Sequence, residues 1–212
     1  MGACCVKRKD QVTTEEITLL PTNYHLEFFT GQIPSDQNVM IDDIHNQWWD
    51  DYELLETHNS YIQWLFPARD VQGMNMQARP FSHGDGDEIR DNQQALDAVI
   101  KSYKMMLNFY GTQLSSDGRS VERSAKWEER FPHLNNSTGE HSRITRILTS
   151  LGQLGLERLK EPFLRFVLHE ISDYQQLRNT ILSLRDEWIP TLADETVRGQ
   201  LHQMCVRHAT LV

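Results

Sequence analysis

Between Thr57 and Pro67 the chain reads Thr57-His58-Asn59-Ser60-Tyr61-Ile62-Gln63-Trp64-Leu65-Phe66-Pro67, directly after Trp48-Trp49-Asp50-Asp51-Tyr52-Glu53-Leu54-Leu55-Glu56. A bare helix needs nothing bulkier than Leu and Ala. Rings packed this densely are instead expected where the rest of the chain covers them, so Trp48, Tyr52, Trp64 and Phe66 are placed in a core. Ile41, Ile44, Trp48, Tyr52 and Leu55 fall at helical spacings on one face, while Asp42, Asp43, Asp50, Asp51 and Glu53 lie mostly off it. That pattern predicts one amphipathic helix with an acidic outer face.

Helical periodicity dominates the remainder, after a lead punctuated by Thr13, Pro21 and Pro34. A long helix is predicted from about Glu88 to Tyr110, with Asp85 and Glu88 resembling a capping box, His83 to Asp87 as a connecting turn and Gly111 as the stop. Ser115 to Gly118 reads as a turn, Ser120 as an N-cap, and Trp127, Phe131 and Leu134 as the buried side of the next helix. Ser137 with Glu140 caps a helix whose Ile144, Ile147, Leu148 and Leu151 face inward, with Arg143 and Arg146 outside that stripe. Pro162 suits the first turn of a helix carrying Phe163, Phe166, Val167 and Ile171. Asp173 is expected to begin another with Leu177, Ile181, Leu184 and Trp188, and Pro190 to separate it from a terminal helix. Val197, Leu201, Met204 and Cys205 share an apolar face there. The expected fold is all-α: a single irregular multi-helix globular domain over 21–212, preceded by a flexible N-terminal arm over 1–20.

The acidic Trp/Tyr segment and Tyr61 to Pro67 resemble the conserved domain of the opioid growth factor receptor family. Tyr103-Lys104-Met105-Met106-Leu107, Trp127-Glu128-Glu129-Arg130-Phe131 and Arg143-Ile144-Thr145-Arg146-Ile147-Leu148 are similar to further blocks of that domain in the same order. The resemblance is closest over 24–188. It implies a receptor that is not a seven-helix membrane protein, an enkephalin-type pentapeptide as ligand, a role in growth regulation, and residence at the nuclear envelope or in the nucleus.

Composition narrows the function classes. With 212 residues the chain is long enough for one core that buries roughly 70% of its unfolded surface. Three cysteines, Cys4, Cys5 and Cys205, make a poor disulfide framework and point to an intracellular, reducing setting. A net charge of -9 opposes general nucleic-acid binding, which rests on clustered Lys and Arg. No Cys-x-x-Cys, His-Glu-x-x-His, phosphate-loop or nucleophile-elbow pattern occurs, so no enzyme and no cofactor are expected. His45, His58, His133, His141 and His169 are scattered at no metal-ligand spacing.

The opening residues suggest a membrane-associated state on the cytoplasmic face. Gly2 is a myristoylation candidate and Cys4 and Cys5 are palmitoylation candidates, although Val6 stands where the pattern favours Ser or Thr. Lys7, Arg8 and Lys9 supply basic charge for an anionic surface, and a single acyl chain needs such a second signal for stable anchoring.

An enkephalin-type peptide carries an ammonium and two aromatic rings, a match for carboxylates beside Trp and Tyr faces. The candidate peptide-binding set is Trp48, Tyr52, Tyr61 and Trp64 for packing, Asp51 or Glu56 for the ammonium, and His58 as a polar edge. The alternative is a membrane-anchored helical module that binds a protein partner and no opioid peptide.

Overall fold

Apolar residues recur at helical spacing along most of the chain, and in the computed structural model, which describes residues 23–69 and 81–209, the described segments form eleven helices. The sequence of elements begins with α1 (Tyr24–Phe29), α2 (Ile41–Gln47), α3 (Tyr52–Thr57), α4 (Tyr61–Leu65), α5 (His83–Arg90) and α6 (Gln93–Phe109). A short hairpin, β1 (Thr112–Leu114) and β2 (Val121–Arg123), then leads to α7 (Trp127–Asn136), α8 (Thr138–Gln153) and α9 (Lys160–Ser172). The chain continues through α10 (Ile181–Ser183), a π-helical turn (Leu184–Trp188) and α11 (Glu195–Ala209). Helix makes up 68% of the structure, which is therefore all-α as the periodicity predicts. No described helix is long and apolar enough to cross a membrane.

The core lies between α6, α8 and α9. Tyr103, Met106 and Tyr110 from α6 and its C-cap meet Ile144, Ile147 and Leu148 of α8 and Phe163 of α9 around one small internal void. Trp188 closes this core, its Nε1 donating to the His141 carbonyl at 3.1 Å and its ring lying 6.1 Å from that of Phe163. Gly111 ends the α6 turn with φ +80, and a Cβ there would come within 2.9 Å of Arg130 Cβ and 3.0 Å of the Trp127 backbone. Only glycine satisfies both the left-handed backbone and that close approach.

Several boundaries differ from the sequence expectations, each for a local reason. The single helix expected over Ile41 to Leu55 is two helices, because Asp50 takes a left-handed φ of 67. Its carboxylate accepts from Tyr52 Oη at 3.0 Å and Asn108 Nδ2 at 2.7 Å, and these partners hold the break open. Asp51 then caps α3 by accepting from the Leu54 N–H at 3.0 Å. The helix expected from Glu88 starts instead at His83, within the supposed turn, because Ser82 and Asp85 form the capping box reciprocally. Asn92 starts α6 separately by capping Ala95.

Ser120 is not a helix cap. It precedes β2, whose Val121 pairs with Leu114 across the Ser115 to Gly118 turn. The helix expected from Asp173 forms only after Leu177, which is left-handed at φ 50. Helix α1 lies inside the lead expected to be irregular. In α11 Leu201 and Cys205 are buried as expected, with the Cys205 thiol pushed up to about 11 by burial, but Met204 is 41% exposed. Gly2, Cys4, Cys5, Lys7, Arg8, Lys9, Thr13 and Pro21 lie outside the described residues.

His45 of α2 is buried against α6, its Nε2 2.8 Å from Ser102 Oγ. Burial, reinforced by Lys101, lowers its pKa from 6.5 to about 4. Because the folded pKa is the lower one, the unfolded chain binds the extra proton between these values, so stability falls as pH drops from 6.5 toward 4 and levels off below. The full effect is about 3 kcal/mol. His45→Gln is expected to remove this component from urea-unfolding curves taken across the window; a variant that keeps the parental slope would contradict the assignment.

Candidate functional site

The aromatic motif is held from beneath by arginines. Helix α3 stops at Thr57, which leaves its last carbonyls without intrahelical donors, as at any helix end. Arg143 of α8, only 4% exposed, supplies them. Its Nη1 donates to the Leu55 carbonyl at 2.8 Å, and Nη2 donates to the carbonyls of Glu56 and His58, both at 3.1 Å, and to Asn59 Oδ1. The Leu55 carbonyl also accepts from Tyr61 Oη at 3.0 Å. Arg146, one turn along α8, donates through Nε to the Phe66 carbonyl at the end of α4 at 2.9 Å, and burial draws its pKa down to about 10. Both arginines are therefore inside the protein, contrary to the placement outside the α8 stripe.

Glu140 balances Arg143 at 3.0 Å and is itself buried. Burial raises its pKa, opposed first by Arg143 and then by His133, whose Nε2 lies 3.7 Å away. Beyond hydrogen-bond length, that last contact is electrostatic only. Tyr110 donates to the other Glu140 oxygen at 3.3 Å.

The seven residues expected to bind peptide do not gather in one pocket. Trp48 and Tyr61 are core residues, their rings 5.6 Å apart, with 8% and 2% of their surfaces exposed. Trp64 packs on Phe28 at 5.1 Å and donates from Nε1 to Asp36 at 2.8 Å. Asp51 is occupied as the α3 cap, and Tyr52 lies beneath the Arg130 guanidinium at 4.4 Å. Glu56 and His58 are exposed and line the same open cleft of about 710 Å³. Its opposite wall is the start of α8, including Ser137, Glu140 and Arg143. His58 also lies 5.6 Å from the buried Trp48 ring, so it stands between the cleft and the aromatic cluster.

The charge of the Arg143 guanidinium is turned inward, onto carbonyls and Glu140. Glu56 is the carboxylate left facing the opening, half exposed, with His133 Nδ1 3.6 Å away. The arrangement suits capture of a cationic group by a carboxylate in a polar cleft. Among the described residues no group of three His, Cys, Asp or Glu side chains is placed to hold a metal ion. Sequence reasoning missed Arg143, Glu140 and Asn59. For Arg143 and Glu140 the signal is present only as polar residues recurring within the helical period of a helix buried along two sides, whereas Asn59 lies in the α3–α4 connection, inside the motif itself.

Fold and cleft together define an all-α domain in which a fastened Trp/Tyr motif borders an open polar cleft. The model of the opioid growth factor receptor (OGFr) conserved region matches residues 21–211, and the chain belongs to that family. It is 38% identical over 187 residues to opioid growth factor receptor-like protein 1 of Mus musculus, an alignment covering 88% of this chain and 40% of the relative. The same-named protein of Xenopus tropicalis is 38% identical over 185 residues, 87% of this chain and 36% of that one. The opioid growth factor receptor of Homo sapiens is 36% identical over 186 residues, 87% of this chain and 27% of the relative. The chain thus spans two fifths or less of the length of these relatives. No solved structure matches it.

Replacing Arg143 with Met leaves Glu140 and the α3 carbonyls buried without their partner, a change that costs about 3–5 kcal/mol in comparable buried pairs. Urea unfolding of Arg143→Met is expected to show a loss of that size. A loss below about 1 kcal/mol, the scale of an exposed pair, would contradict the fastening role.

Proposed function

We propose that this domain is a receptor-type binding module for a short peptide of enkephalin type, gripped at the cleft between the α3–α4 connection and α8, and acting in growth regulation. The observation that carries the reading is the half-exposed Glu56 carboxylate at the mouth of that cleft, which His58 also lines. A peptide ammonium pairs with Glu56, and an aromatic side chain of the peptide lies along the exposed His58 ring. The size, about 710 Å³, is in the range that encloses small ligands. The names of the relatives support a receptor role, and the peptide class follows from that naming together with the charge of the cleft.

Calorimetric titration of the intact chain with the enkephalin pentapeptide should give saturable heat that a scrambled peptide does not reproduce. Glu56→Gln should weaken binding about tenfold, roughly 1.4 kcal/mol, without altering stability, because the side chain is exposed. Absence of heat with folded protein, or an affinity indifferent to Glu56→Gln, would refute the assignment.

A second reading rests on the sequence of Gly2, Cys4 and Cys5 ahead of Lys7-Arg8-Lys9. In it an acylated arm carries the helical domain to the cytoplasmic face of a membrane or to a perinuclear site, with a protein partner in place of the peptide. Fractionation of Gly2→Ala beside the parent chain tests it: the membrane pool should disappear, and a pool that persists rules out myristoyl anchoring.

A further inference from the structure

On a different part of the domain, α6, the β1–β2 turn and the start of α9 enclose an open cleft of about 760 Å³. Four cations line it: Lys104 from α6, Arg119 from the hairpin turn, Arg158 from the 3-10 turn before α9, and Arg165 from α9. Its two carboxylates are already engaged. Glu161 accepts from Arg165 Nε at 2.7 Å. Asp117 accepts from Ser115 Oγ at 2.7 Å and from the Arg119 backbone N–H at 3.0 Å, bonds that hold the hairpin turn closed. Lys104, Arg119 and Arg158 are exposed, and among the described residues none has a carboxylate within ion-pair distance. Cations without a close carboxylate thus collect around one concavity in a chain whose net charge is -9, with the Arg119 and Asp117 charges acting on each other only at longer range.

Lys104, Arg119 and Arg158 come from three separate elements that line the same cleft. Leu114 and Pro162 add apolar surface to its wall. A compact anion such as inorganic phosphate makes no use of apolar wall, whereas carboxylates flanking an apolar side chain on a peptide match both the cations and the Leu114 and Pro162 surface. A nucleic acid needs a continuous basic track, which the acidic balance of the chain opposes.

We infer that the cleft between α6, the β1–β2 turn and α9 is a docking site for a short acidic peptide segment of a protein partner, one that carries an apolar side chain among several Asp or Glu residues. The ligand is opposite in charge to the ammonium-bearing peptide assigned to the Glu56 cleft, and the two sites share no residue. Binding at either is therefore independent of the other reading.

Fluorescence anisotropy of the intact chain with a fluorescein-labelled Glu-Glu-Leu-Glu-Glu peptide tests the inference. Saturable binding is expected, weakening with added salt, and absent for the same peptide with Gln in place of Glu. The double variant Arg119→Glu/Arg158→Glu should lose at least about tenfold in affinity, and Lys104→Gln alone about threefold, with helical circular dichroism unchanged because these side chains are exposed. Glu56→Gln should leave this binding intact. Failure to saturate, equal binding of the Gln peptide, or indifference to the charge reversals would overturn the inference. Displacement of the peptide by a low concentration of inorganic phosphate would also overturn it, as would tighter binding of a short single-stranded oligonucleotide.

Discussion

Arg143 joins parts of the chain that no local rule brings together. Its guanidinium reaches the carbonyls of Leu55, Glu56 and His58 from a helix more than eighty residues further along, and so fixes the bend between α3 and α4. Tyr61 shares the Leu55 carbonyl, Trp48 packs against Tyr61 and His58, and Glu56 is turned outward into the cleft. Glu140 remains raised in pKa although Arg143 stands 3.0 Å away, so desolvation of its charged form outweighs the attraction of its partner. The pair is therefore a device for position more than for net stability, as is common for buried ion pairs.

The same solution recurs through the domain. Arg130 donates to the Phe109 carbonyl at the end of α6, Arg146 to the Phe66 carbonyl at the end of α4, and the buried Lys160 ammonium to the Thr191 carbonyl at 2.6 Å. Helix C-termini present unpaired carbonyls and partial negative charge, and a cation meets both demands at once. A fold made of many short helices has many such ends to satisfy. Placing the cations on α7, α8 and α9 ties those ends to the longer elements.

Where apolar spacing alone decides the structure, the sequence is readable. Phe163, Val167 and Ile171 mark α9, Ile144, Ile147 and Leu151 mark α8, and Gly111 marks the end of the α6 turn. The break at Asp50 is not readable, because its left-handed backbone is stabilised by Asn108, a residue far away in sequence. Strands of three residues are too short to display alternation, which hides the hairpin. Arg143 and Arg146 follow the rule that charges face water until the carbonyls of another helix are known to wait for them. The cleft is half legible: Glu56 and His58 belong to the motif, but the opposite wall from Ser137 to Arg143 is supplied only by tertiary packing.

Native-state hydrogen exchange on the parent chain and Arg143→Lys tests the fastening role most directly, since Lys keeps the charge but lacks the planar fork that serves several carbonyls at once. If Arg143 fixes the α3–α4 bend, amides from Leu54 to Phe66 exchange faster in the variant while those of α6 and α9 keep their protection. Unchanged exchange over Leu54 to Phe66, or a uniform loss across all helices, would show that the motif does not depend on this arginine.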